Sequence, residues 1–109
     1  MGKPVIGEVV VIPFPQTDLQ VGKRRPALVV ADLTGDDLIL CQITTQSHYD
    51  SYSVSLTGGD FEHGRLQVNS FIRSNRLFTI DQVVIAYTAA KVKASKLDEV
   101  RSKIRQLFS

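Results

Sequence analysis

Two basic segments of the sequence have the residue types to bind a phosphate chain. The first is Lys23-Arg24-Arg25-Pro26, a basic run that leads directly into an apolar stretch. Because proline restricts the residue before it to extended backbone, we expect Arg25 at the edge of a strand. A guanidinium stays charged and offers a planar fork of donors that matches phosphate oxygens. Taken alone, the run is better explained as a solvated basic turn.

The second basic segment is Arg73-Ser74-Asn75-Arg76. On a regular strand, Arg73 and Asn75 lie two residues apart and share one face. A guanidinium beside an amide suits a phosphate or the edge of a base. The alternative is a strand whose polar side chains simply face water.

A polar stretch, Thr44-Thr45-Gln46-Ser47, follows an apolar one. Four consecutive hydrogen-bonding side chains at a strand end could line a polar pocket. The alternative is a turn in which a Ser or Thr side chain bonds its own backbone. Tyr49 and Tyr52 lie nearby and could stack on bases or belong to a strand.

The remaining reactive side chains match no catalytic or metal-binding spacing. No metal and no cofactor is predicted from the acidic and imidazole groups, which are His48, Asp50, Asp60, Glu62 and His63. Cys41 lies in an apolar stretch, where a thiol behaves as a small hydrophobic group. A nucleophile pair of Cys41 and His48 is the alternative.

Several short strands and one helix must position these residues. Apolar or alternating stretches predict strands at 7–14, 26–31, 38–43, 52–56 and 70–77. In the last of these, alternation places Phe71, Arg73, Asn75 and Leu77 on one face. Helical spacing of apolar residues over 97–108 predicts an amphipathic helix, with Ser95 as its cap and Asp98 in capping-box position. The chain is therefore expected to be mainly β, a small, partly open antiparallel barrel with a helix packed on it.

Length and composition limit the number of domains and the classes of protein to which this chain can belong. A chain of 109 residues, with 43% hydrophobic and 22% charged residues, predicts one globular domain over residues 1–109. The net charge of +2 is too small to argue nucleic-acid binding by itself. A single cysteine excludes an intramolecular disulfide, and no apolar run reaches the roughly 20 residues that a membrane span needs. We expect a cytoplasmic protein.

Four segments in order resemble the MazF/PemK-like toxin family of type II toxin–antitoxin systems. They are the opening Gly7-Glu8-Val9-Val10-Val11-Ile12-Pro13-Phe14, the strand that follows Arg25-Pro26, the stretch Ile43-Thr44-Thr45-Gln46-Ser47, and the segment from Ile72-Arg73 to Asp81. The amphipathic C-terminal segment also fits this family.

The resemblance implies an SH3-like barrel of the MazF/CcdB type, acting as a homodimer. It implies a metal-independent endoribonuclease that cleaves single-stranded RNA and is blocked by a cognate antitoxin. By position in the family's pattern, the catalytic residues would be Arg25, Thr44 and Arg73. Residues expected to contact RNA are Lys23, Arg24, Thr45, Gln46, Ser47, Asn75 and Arg76.

Cleavage through the 2′-hydroxyl needs a proton acceptor, donors for the non-bridging oxygens and an acid for the leaving oxygen. Guanidinium groups suit the charge on the phosphorane, but they are poor proton acceptors. Some relatives carry a His in the loop before Arg-Pro and an Asp two residues after the later Arg, whereas this chain has no His over 16–24 and carries Asn75. His48 is the possible base, because imidazole titrates near neutral pH.

Two other functions remain open from the sequence. The departures at the loop and at Asn75 favour a catalytically inactive relative that binds RNA or antitoxin. A gyrase-binding toxin of the CcdB type is the other, although such toxins typically carry a Trp in their last segment and this chain has no Trp.

Overall fold

The computed structural model describes residues 2–13, 24–47 and 50–109. Lys23, His48 and Tyr49 therefore lie outside the described residues. Within these ranges, seven strands form one antiparallel sheet in the order β4-β6-β3-β2-β1-β7-β5. The strands are β1 (Glu8–Pro13), β2 (Arg24–Asp32), β3 (Asp37–Thr44), β4 (Ser53–Leu56), β5 (Phe61–Gly64), β6 (Ser70–Asp81) and β7 (Tyr87–Val92), followed by the helix α1 (Ala94–Leu107).

The central strands are buried on both faces, which is why their sequences are continuous apolar runs and not alternating ones. One face carries Leu28, Cys41, Ile43 and Ile72, and α1 adds Val100 to this cluster. The other face carries Ile12, Ala27, Val29, Leu38 and Leu40. Because successive side chains point to opposite faces, each of β1, β2 and β3 supplies residues to both clusters.

The mainly β architecture with a C-terminal helix is as predicted, and two strands were missed. The missed strands are β5 and β7, which pair with each other along one edge of the sheet. Neither shows a clear pattern, because β5 has only four residues and is exposed along most of its length, and β7 contains two alanines. No helix in the described part of the chain is long and apolar enough to cross a membrane.

The predicted start of the helix was wrong. α1 begins at Ala94 after Lys93, so Ser95 lies inside the first turn and caps nothing, and Asp98 follows within the helix. The chain passes directly from β7 into the helix, and the Lys93 N–H donates to the carbonyl of Asp60 at 2.8 Å. This bond holds Lys93 in the extended conformation from which the helix starts.

A buried lysine also fastens the start of α1 to the β4–β5 connection. The Nζ of Lys96 lies 2.9 Å from Glu99 Oε1 and 3.7 Å from Asp60 Oδ2. Asp60 Oδ2 in turn accepts the N–H of Thr57 at 2.8 Å. Asp60 is therefore a carboxylate held by a backbone amide and a cation, with one quarter of its side chain exposed.

Leu40→Ala should cost about 2–5 kcal/mol of unfolding free energy, because Leu40 is fully buried between strands and leaves a cavity. Leu33→Ala is the matched control, since Leu33 is 37% exposed, and we expect it to cost less than about 1 kcal/mol. Urea unfolding followed by circular dichroism measures both. Equal costs for the two variants would contradict this core assignment.

Candidate functional site

The site begins with one row of residues that crosses four neighbouring strands. Gln42 on β3 lies opposite Ala27 on β2 and opposite Arg73 on β6. Arg73 in turn lies opposite Ser53 on the edge strand β4. Partners that lie opposite each other in an antiparallel pair point to the same face. Arg73 and Gln42 therefore share the face of the sheet on which Ala27 lies, away from α1.

An irregularity in β6 sets this orientation of Arg73. Cys41 pairs with Leu77, yet the next residue, Gln42, pairs with Arg73, so residues 74–76 have no partner on β3. Arg73 and Leu77 consequently lie on opposite faces of the sheet, because Gln42 and Cys41 do. The sequence-based prediction that Phe71, Arg73, Asn75 and Leu77 share one face was wrong for Leu77, since it assumed an uninterrupted strand.

Arg25 and Thr44 lie one step further toward the same end of the sheet. Each is two residues beyond the pair of Ala27 and Gln42, so both continue the face on which that pair lies. Thr44 also pairs with Phe71, which places it diagonally from Arg73 on the neighbouring strand. Diagonal neighbours are about 7–8 Å apart, a distance that a guanidinium side chain spans. The three predicted catalytic residues thus come from three adjacent strands, and two of them, Arg25 and Thr44, are half-buried at the strand ends.

The polar stretch from Thr44 to Ser47 forms a turn at the end of β3, which is the alternative to a polar pocket. Thr44 Oγ1 accepts the backbone N–H of Gln46 at 3.1 Å. Its hydroxyl proton and a second lone pair remain for another partner. Thr45, Gln46 and Ser47 are exposed beyond it. The stretch therefore orients one hydroxyl and presents three further polar side chains to solvent.

A carboxylate lies against Arg73. Asp50 Oδ2 is 3.3 Å from an Nη of Arg73, and only 13% of the Arg73 side chain is exposed. Asp50 Oδ1 accepts the N–H groups of Tyr52 at 2.9 Å and Ser53 at 3.0 Å. The Tyr52 N–H bond first, and then the Ser53 N–H and the charge of Arg73, hold the pKa of Asp50 below its usual value. The sequence does not predict this contact, because it offers Asp50 only as one of several acidic and imidazole groups with no metal-binding spacing.

An open groove of about 660 Å³ adjoins Gln42 on the same face. Its floor is apolar, formed by Ile12, Phe78 and Ile80 among others, and Arg76 lies on its border. Arg24, opposite Pro13 at the end of β1, is exposed close to the same border. Asn75 is exposed as well and belongs to the unpaired part of β6. The predicted RNA-contacting residues among those described are therefore solvent-accessible around one end of the sheet.

Other candidate groups do not join this site. Cys41 is fully buried in the core, and burial raises the pKa of its thiol to about 12, so it is no nucleophile at neutral pH. Glu62 and His63 are on β5, at the opposite end of the strand order from β4, and contact each other. Over residues 2–13, 24–47 and 50–109, no group of three or more His, Cys, Asp or Glu side chains could hold a metal ion.

Comparison with known proteins is decisive for the family. Over residues 6–108 the sequence matches the family described as PemK-like, MazF-like toxin of type II toxin–antitoxin systems. The chain belongs to this toxin family. The resemblance read from the sequence is thereby confirmed. Curated protein sequences give no match.

Solved structures agree on the fold of the toxin. A MazF crystal structure from Deinococcus radiodurans is 25% identical, with a TM-score of 0.77, covering 99% of this chain and 98% of that one. A MazE–MazF structure from the same organism is 23% identical, with a TM-score of 0.78, covering 100% and 98%. A mycobacterial endoribonuclease in complex with its cognate antitoxin is 14% identical, with a TM-score of 0.75, covering 96% and 94%.

Asp50→Asn should make the stability of the folded protein fall less steeply as the pH is lowered. Because the pKa of Asp50 is lowered in the folded state, its ionised form stabilises the fold above the unfolded pKa of about 3.9. That contribution is lost as pH falls through the folded pKa, below about pH 4. The midpoint of urea unfolding, measured at several pH values, should therefore favour the wild type at pH 7 and converge with that of the variant in acid. A difference that does not change with pH would contradict the lowered pKa.

Proposed function

We propose that this toxin is a metal-independent endoribonuclease that cleaves single-stranded RNA through attack of the 2′-hydroxyl. The observation that carries the proposal is the placement of Arg25, Thr44 and Arg73 on adjacent strands, at one end and on one face of the sheet. Similar structures include mycobacterial proteins named endoribonucleases. The family match supports a toxin whose cellular effect comes from such an activity.

The three side chains suit distinct roles in this reaction. Arg25 and Arg73 offer cationic forks to the non-bridging oxygens, where negative charge develops in the phosphorane. The Thr44 hydroxyl, oriented by the Gln46 amide, can bond the phosphate or the 2′-hydroxyl. DNA lacks the 2′-hydroxyl and would bind without being cleaved.

The proton acceptor is a separate hypothesis. His48 follows the polar stretch after Thr44 in the sequence, which motivates its assignment as the base. It lies outside the described residues, and its residue type and its place four residues after Thr44 support the hypothesis. Cleavage by His48→Ala at the wild-type rate would exclude it.

The partners follow from the family. Toxins of this class are neutralised by a cognate antitoxin, and complexes with an antitoxin exist among similar structures. We infer the same kind of partner here, a cytoplasmic location and a homodimer.

A second groove, of about 390 Å³, lies between the sheet and the end of α1, where Phe108 is 79% exposed. This apolar face supports a dimer. A Phe108→Ser variant that sediments like the wild type would count against this face as the dimer interface.

The inactive relative that binds only RNA or antitoxin is the second candidate function. Asn75 in place of an acidic residue favours it. A gyrase-binding role finds no support in the described residues, and the absence of Trp from the sequence stands against it.

Arg25→Ala should lower the cleavage rate of mixed-sequence single-stranded RNA in EDTA by about 100-fold or more, since it removes one donor to the phosphorane. Arg25→Lys keeps the charge but loses the fork, and should rescue only part of the rate. Arg65→Ala, at an exposed position after β5, is the matched control and should cleave at the wild-type rate. Wild-type protein that cuts no RNA but binds it would replace the proposal by the inactive relative.

Replacing Lys23 and Arg24 together by Ala should weaken binding and flatten its salt dependence. The slope of log K against log salt should fall in magnitude by about 1.4, because each phosphate contact on a single strand contributes about 0.7. Fluorescence anisotropy with a labelled RNA at several salt concentrations measures this. An unchanged slope would contradict a role for the basic run in contacting the RNA backbone.

A further inference from the structure

The carboxylate of Asp50 is fixed from two directions. Its Oδ1 accepts two backbone N–H groups, from Tyr52 and Ser53, within one turn. Its Oδ2 faces an Nη of Arg73 at 3.3 Å. Because Ser53 lies opposite Arg73 in the pairing of β4 with β6, the turn that carries Asp50 is tied to the strand that carries Arg73. The N–H of Ser74 donates to the carbonyl of Tyr52 at 3.2 Å and ties them a second time.

The Arg73 side chain has few other polar contacts in the described part of the chain. Its side chain is mostly buried, and its Nε is buried without a hydrogen-bond partner among the described residues. The hydroxyl oxygen of the neighbouring Ser74 is also buried without a hydrogen-bond partner among the described residues. In the described part of the chain, Asp50 supplies the one ion pair to the Arg73 guanidinium. A long side chain with one charged anchor takes its direction from that anchor.

We propose that Asp50 is a positioning residue that aims the Arg73 guanidinium along the face shared with Gln42 and Thr44. This proposal rests on the proposed function, because it gives Arg73 its orientation toward the phosphate. Asp50 is poorly suited to accept the 2′-hydroxyl proton, since three donors already occupy its oxygens. The carboxylate that faces Arg73 in this chain thus comes from the turn before β4, whereas position 75 carries an amide.

Asp50→Asn is the variant that separates charge from turn geometry. Asn keeps an oxygen that accepts the Tyr52 and Ser53 N–H groups, but it removes the negative charge that faces Arg73. Asp60→Asn is the matched control. Asp60 also accepts a backbone N–H and faces a cation, Lys96, and its side chain is as exposed as that of Asp50, with one quarter accessible.

Asp50→Asn should affect single-turnover cleavage but should not weaken the binding of a 2′-deoxy strand. Asp50→Asn should lower the cleavage rate about 10- to 100-fold, because a misaimed guanidinium loses its alignment with the phosphorane. Binding of the uncleavable strand should not weaken, since the variant removes an anion from the path of a polyanion. Asp60→Asn should leave both unchanged. A merely structural role for Asp50 would instead weaken the binding of the uncleavable strand along with the cleavage, whereas some loss of stability at pH 7 is expected in either case.

A double-mutant cycle distinguishes positioning from direct catalysis. The double variant Asp50→Asn with Arg73→Ala should cleave at the rate of Arg73→Ala alone, because Asp50 acts only through Arg73. If the double variant loses the full Asp50→Asn factor in addition, Asp50 contacts the reacting groups itself and the positioning role is overturned.

A spectroscopic measurement tests the proposal without any cleavage. The Nε–H resonance of Arg73, assigned by its loss in Arg73→Ala, should shift and broaden in Asp50→Asn and stay in place in Asp60→Asn. An unchanged resonance in Asp50→Asn overturns the positioning role whatever the activity. A shifted resonance in a protein that cuts no RNA would uphold the positioning role while the proposed ribonuclease function fails.

Discussion

The placement of Arg73 in the site depends on one feature of strand pairing, the register step between Cys41 and Gln42. Three residues of β6 leave the ladder at this step, so that Gln42 meets Arg73 instead of the residue next to Leu77. The step turns Arg73 to the face that continues through Gln42 and Thr44, while Leu77 stays with the core under α1. A regular strand would keep Arg73 and Leu77 on one face and send a guanidinium into the core or a leucine into solvent.

A cation turned onto a half-buried face needs a partner of opposite charge. The protein supplies it from the turn before β4, whose carboxylate is held by two backbone amides and faces Arg73. The same end of the sheet gathers Arg25 from β2 and the Thr44 hydroxyl from β3, each positioned by the ladder itself. The sheet thus holds the polar groups on its rigid strands, and exposed polar side chains surround them on turns and strand ends.

The sequence predicted the elements better than the contacts. Apolar runs such as those of β2 and β3 identify buried strands, and the spacing of Leu97, Val100 and Ile104 identifies the helix, because burial imposes a period on the chain. The short edge strand β5 carries no such period. The helix start was misplaced because α1 begins after Lys93, which no side chain caps and whose N–H instead donates to the distant carbonyl of Asp60.

For the site, residue types and the family resemblance named Arg25, Thr44 and Arg73, but not their relative orientation. The break in β6 and the approach of Asp50 to Arg73 are products of long-range pairing, between positions 23 residues apart for that ion pair. Nothing in the local sequence of Asp50 distinguishes a partner of Arg73 from a solvated turn residue. One signal was present, since Gln42 is a polar residue that interrupts an apolar strand at the point where the site begins.

The measurement that tests the central claim most directly is the mass of the two RNA fragments produced by the wild-type toxin in EDTA. Attack by the 2′-hydroxyl leaves a 2′,3′-cyclic phosphate on one fragment and a 5′-hydroxyl on the other, and the account predicts these ends. Fragments with a 3′-hydroxyl and a 5′-phosphate would show that water attacked the phosphorus and that the bond from phosphorus to the 3′-oxygen was broken. That result would contradict the roles assigned to Arg25, Thr44 and Arg73.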